Sequence, residues 1–117
     1  MTSTDAAAIR QLALSFPDAR EDHPFGPESH VFKVGSGSRM FAILHDGPPV
    51  TATLKLTKEE REIALTLPSV SVAKYVGRYG WVTARVEDAD CLEAALEWVR
   101  ESFWLRAPVE TREAAWS

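Results

Sequence analysis

At 117 residues, with 45% hydrophobic and 26% charged side chains, the chain has the size and balance of one globular domain and is too apolar to stay disordered. A net charge of −4 argues against binding nucleic acid through bulk positive charge, while leaving a local basic face open. A single cysteine, Cys91, excludes an internal disulfide, and neither a leader-like start nor a long apolar run is present, so a cytoplasmic protein without membrane contact is expected.

One domain over residues 1–117 is expected, with a core from about 4 to 106 and a loosely packed tail over 107–117. Ile9, Leu12, Ala13 and Phe16 recur with helical spacing, which predicts a helix from Thr4 to Phe16, capped by Ser3 or Thr4 and stopped by Pro17. Turn formers from Pro17 to Pro27 predict a loop or a short edge strand. Ser29–Val34 and Arg39–His45 read as strands joined by the flexible Gly35-Ser36-Gly37-Ser38 turn. Both sides of the second strand are apolar, so its buried face stays open. After Asp46-Gly47-Pro48-Pro49 the alternation is clearest, with Val50, Ala52, Leu54 and Leu56 on one side and Thr51, Thr53 and Lys55 on the other.

Thr57-Lys58-Glu59-Glu60 is a capping box that opens a short helix running towards Pro68. Residues 68–80 read as a loop with a helical turn. Trp81–Glu87 is the next strand, with Val82, Ala84 and Val86 inward and Trp81, Thr83 and Arg85 outward. Asp90 and Glu93 are expected to cap the last helix, whose buried stripe is Leu92, Ala95, Leu96, Val99 and Phe103. Packing both terminal helices on the apolar side of the strands predicts an α+β two-layer sandwich, a twisted antiparallel sheet backed by N- and C-terminal helices with one sheet face in water.

The run Leu14-Ser15-Phe16-Pro17-Asp18-Ala19, then His23-Pro24-Phe25-Gly26 and Val31-Phe32-Lys33-Val34, resembles the opening of the MmcQ/YjbR proteins. Met40-Phe41-Ala42, Leu54-Lys55-Leu56 and Gly80-Trp81-Val82 continue the resemblance in order, over roughly residues 9 to 106. The resemblance implies a CyaY-like (frataxin-like) fold and a role in DNA binding. Gly37-Ser38-Arg39 stands where family members often carry a glycine-lysine pair, and Ala73 to Tyr79 departs from a His-Leu-Asn-Lys-like stretch.

No catalytic residue is expected. Cys91 reads as a small apolar residue near a helix start, the serines lack a nucleophile elbow, and Glu59, Glu60 and Glu62 read as a solvated helix face. His23, His30 and His45 show no zinc-type spacing, and the first helix offers only Asp5 in place of the acids through which frataxin relatives bind iron, so neither metal nor cofactor is expected.

The open sheet face is the candidate site. Lys55, Trp81 and Arg85 share it by alternation, with Lys33 beside them, Lys74 and Arg78 on the loop before Trp81, and Arg39 at the hairpin. Cations around an indole suit DNA, through phosphate contacts and base stacking. The other readings are a small planar aromatic ligand over Trp81, Phe41 or Phe32, and a protein partner docked on the same face. The protein is expected to be a monomer and not an enzyme.

Overall fold

In a computed structural model, which describes residues 4–116, the first helix α1 covers Thr4–Ser15 and buries Ala6, Ile9 and Ala13. Ser3, one of its expected caps, lies outside the described residues. The chain then pairs six strands: β1 (Ala19–Asp22), β2 (Ser29–Val34), β3 (Arg39–His45), β4 (Thr51–Lys55), β5 (Val70–Val72) and β6 (Trp81–Arg85). They form one antiparallel sheet in the order β1-β2-β3-β4-β6-β5. The helices α2 (Lys58–Ala64), α3 (Ala89–Arg106) and α4 (Val109–Trp116) complete the fold. The expected α+β architecture is therefore the observed one, with α1 against β1 and β3, and α3 against α1, β3 and β4.

The alternation in β4 survives intact: Val50, Ala52, Leu54 and Leu56 are buried with Val82, Ala84 and Val86. In β3 the register supplies what alternation left open. Phe32 pairs with Ala42 and Lys33 with Met40, so Phe41 is an extra residue, a β-bulge. The bulge lets Phe41 join Ala42 and Leu44 in the core.

Beyond Ala42 and Leu54 the β3–β4 pairing stops. There the fully buried Ser102 of α3 takes over, accepting from the Lys55 N–H at 3.0 Å and donating to the Phe41 carbonyl. Ser102→Ala should therefore cost about 1–3 kcal/mol by removing the partner of a buried N–H. A urea midpoint unchanged from the parent would contradict this.

Three expectations need correction. The 68–80 segment contains β5, a strand too short for a period-2 pattern to register, and a 3-10 turn over Gly77–Tyr79. The cap of α3 is Asp88, whose side chain accepts from the Cys91 N–H at 2.8 Å; Asp90 sits inside the first turn. That hydrogen bond holds the Asp88 carboxyl below its ordinary value. The tail is not loose: Pro108 opens α4, accepting from the Arg112 N–H, and Ala115 packs against the core. Gly35 in the hairpin turn, at φ +80°, meets the Pro108 ring where a Cβ would stand 2.8 Å from its Cγ, so glycine is required there.

Candidate functional site

The cross-strand register places the sequence-predicted cations at different ends of the sheet. Lys55 pairs with Trp81, and Thr51 with Arg85, so Lys55 and Arg85 are four strand residues apart, about 13 Å. Lys33, opposite Met40, donates to Asp22 at 3.0 Å. Arg85 donates to Glu87 at 2.8 Å and to the Pro68 carbonyl at 2.9 Å. Arg39, Lys55, Lys74 and Arg78 form no salt bridge among the described residues; Arg78 instead lies over the Tyr79 ring, 4.9 Å from its centroid.

Trp81 overturns an expectation. It is 3% exposed rather than open to solvent. The Arg106 guanidinium, from the end of α3, stands 5.9 Å from its ring centroid while donating to the Met40 carbonyl at 2.8 Å. Burial, reinforced by the nearby Arg39 charge, pulls the Arg106 pKa down from its ordinary value. A base has no free indole face to stack on. Phe32 and Phe41, the other aromatic candidates, are fully buried.

Between the two ends of the sheet lies a cavity of about 650 Å³. Its floor is Met40, Ile43, Thr51, Thr53 and Thr83, side chains that alternate away from the core residues of β3, β4 and β6. Thr53 and Thr83 face each other across the strands, their hydroxyl oxygens 2.9 Å apart. His45 closes one end. Its Nδ1 accepts from the Gly47 N–H at 3.1 Å, which leaves Nε2 as the nitrogen that can donate.

The rim is apolar and unusually bare. Phe25 is 71% exposed and Tyr75 is 95% exposed. Tyr75 also sits at φ 66°, a left-handed conformation that a bulky side chain rarely adopts. Lys74 is the single cation in the lining. Sequence reasoning missed Tyr75 and Phe25, because the 73–76 loop and the 23–27 turn carry no periodicity, whereas the floor threonines were expected as outward residues.

A second cluster stands at the β1–β2 end. Glu21 lies on β1 opposite Phe32, and His30 is two residues along β2 on the same face, a diagonal cross-strand pair. His30 Nδ1 is 2.7 Å from Glu21 Oε2, and His30 Nε2 is 2.8 Å from Asp46 Oδ1. His23 Nε2 also reaches Glu21 Oε2, at 2.7 Å, while Arg10 Nε donates to Glu21 Oε1 at 2.7 Å. Burial pushes the Glu21 carboxyl up, but hydrogen bonds from His30 and Arg10, helped by the Arg10 charge, outweigh it and hold the pKa below the ordinary value. His23 and His30 lie seven residues apart without ligand spacing, and strand pairing supplies the proximity.

A family model described as YjbR matches residues 14–105. The crystal structure of the Deinococcus radiodurans protein DR2400, whose domain is described as DUF419, superposes with a TM-score of 0.76 at 30% identity, covering 90% of this chain and 78% of that one. A Pseudomonas syringae protein of known structure shares the fold at 21% identity, with a TM-score of 0.64 over 86% of this chain and 96% of that one. No curated protein shows a significant sequence match to the chain. No helix among the described residues is long and apolar enough to cross a membrane.

Proposed function

The chain belongs to the YjbR family, and from that premise we propose that it is a binding protein whose open-face cavity holds a small, flat, largely apolar ligand. The observation that carries this reading is the lining. About 650 Å³ is the volume of a small-molecule site, and the walls combine Met40, Ile43, Phe25 and Tyr75 with a few convergent polar groups from Thr53, Thr83 and His45. An exposed tyrosine held at positive φ is an arrangement that a ligand contact would repay.

DNA, the ligand implied by the family resemblance, is supported less. It needs a run of free cations and a stacking surface. Here Lys33 and Arg85 are neutralised by Asp22 and Glu87, and Trp81 is buried. Arg39, Lys55, Lys74 and Arg78 remain as cations that phosphate contacts would use.

The full chain should bind a planar naphthalene-class dye at one saturable site, read by the dye's fluorescence. Tyr75→Ala should weaken binding about tenfold, equivalent to about 1.4 kcal/mol, and Thr53→Arg, which fills the floor, should abolish it. Dye binding indifferent to both variants overturns the reading. So does tight, salt-sensitive binding of duplex DNA that is lost when Lys55 and Lys74 are changed to glutamate.

A further inference from the structure

We propose that Glu21, His23 and His30 form a site for a divalent transition metal of the zinc class, a second site independent of the cavity on the open face. One atom from each residue (Glu21 Oε2, His23 Nε2 and His30 Nδ1) falls within 4.8 Å of the others. The two nitrogens each stand 2.7 Å from the carboxylate oxygen and 3.1 Å from one another. Two histidines and one carboxylate are an established zinc ligand set that leaves a fourth position for water or another ligand. In such a site bonds of about 2.0–2.1 Å hold the ligand atoms about 3.3 Å apart, so an outward shift of roughly half an ångström admits the ion.

The surroundings of the three atoms strengthen the assignment. His30 turns its other nitrogen to Asp46 at 2.8 Å, the carboxylate–histidine arrangement that fixes ring orientation and raises the basicity of a metal-binding imidazole. Glu21 gives its Oε1 to Arg10 and keeps Oε2 for the cluster centre. Two carboxylates against one guanidinium leave a negative site before any ion binds.

Access is also suitable. The side chains of Glu21 and His30 are 10% and 12% exposed, which sets two ligands firmly, while that of His23 is 44% exposed and opens the site to solvent. His23 lies past the end of β1, so an ion would tie the turn after β1 to β2 and, through Asp46, to the end of β3.

The test is calorimetric titration of the full chain, stripped with a chelator, with zinc ion alone. The expected result is one equivalent bound. Affinity should fall at least about 100-fold in Glu21→Gln and His23→Ala, and about 10–100-fold in Asp46→Asn, which acts through His30. Cys91→Ala, beside Ser69 at the opposite edge of the sheet from the cluster, should bind like the parent. Cobalt titration should give the intense visible bands of a four- or five-coordinate site in the parent and not in His23→Ala. His23 is on an exposed turn, so that variant folds even if the Glu21 variant does not. No saturable zinc binding, binding unaltered in His23→Ala, or an equal loss in Cys91→Ala overturns the proposal.

Discussion

Trp81→Ala should destabilise the protein by about 3–5 kcal/mol, measured as a fall in the urea or thermal midpoint. Against a total stability of about 5–15 kcal/mol for a domain of this kind, that is enough to unfold a substantial fraction of the chain. The indole is 3% exposed and is covered in part by Arg106, which the Met40 carbonyl holds in place. Truncation removes the transfer energy of the ring and leaves a cavity beneath the guanidinium. A tryptophan standing in solvent on an open sheet face would shift stability by no more than about 0.5 kcal/mol. The two placements therefore differ about sixfold or more in their predicted effect. Trp104, 43% exposed on α3, provides the internal comparison, and its alanine variant should fall well below that of Trp81. A Trp81→Ala midpoint within about 0.5 kcal/mol of the parent would restore the indole to the surface.

The same residue shows how far the sequence could be read. Alternation puts Trp81 and Thr83 on the same sheet face as Lys55 and Thr53, and the register pairs Trp81 with Lys55 and Thr83 with Thr53. It says nothing about what a distant segment lays over the ring, and Arg106 arrives from the far end of α3. Where structure is local, the reading is close: β2 and β3 keep their expected bounds, and Thr57 caps α2 by accepting from the Glu60 N–H. Glu60, the other half of that capping box, instead accepts from the Trp98 Nε1–H of α3 at 3.1 Å, again a tertiary partner. Where structure depends on pairing, the reading fails. His23 and His30 have no ligand spacing in the chain, and a hairpin register brings them to 3.1 Å. The cavity is a sharper case. Its floor threonines were legible as outward residues, whereas Tyr75 and Phe25 on its rim sit in segments with no repeating pattern. The expected basic-aromatic face gives way to a floor of hydroxyls and apolar side chains.

Phe41→Ala should cost a similar about 3–5 kcal/mol, for a reason that period-2 reading of β3 could not supply. A strict alternation would place Phe41 and Ala42 on opposite faces. The bulge removes that constraint, and Phe41 enters the helix-covered core, 6.1 Å from Phe16, 5.5 Å from Phe103 and 6.3 Å from Phe32 between ring centroids. Phe16 and Phe103 stack at 4.2 Å, so the cluster links the end of α1, the middle of β3 and the end of α3. Edge-to-face contacts of this kind add about 0.5–1.5 kcal/mol to burial alone, and alanine forfeits two of them. The Phe41 carbonyl would still accept from Ser102, because that bond uses the backbone. Combining Phe41→Ala with Ser102→Ala should therefore depart from additivity, since both loosen the point where β3 leaves β4. Without the bulge, Phe41 rather than Met40 would stand opposite Lys33, which exchanges the faces of both and turns Met40 away from the cavity floor. A Phe41→Ala loss below about 1 kcal/mol would place the ring outside the core, and the bulge would then have no role in opening the floor of the cavity.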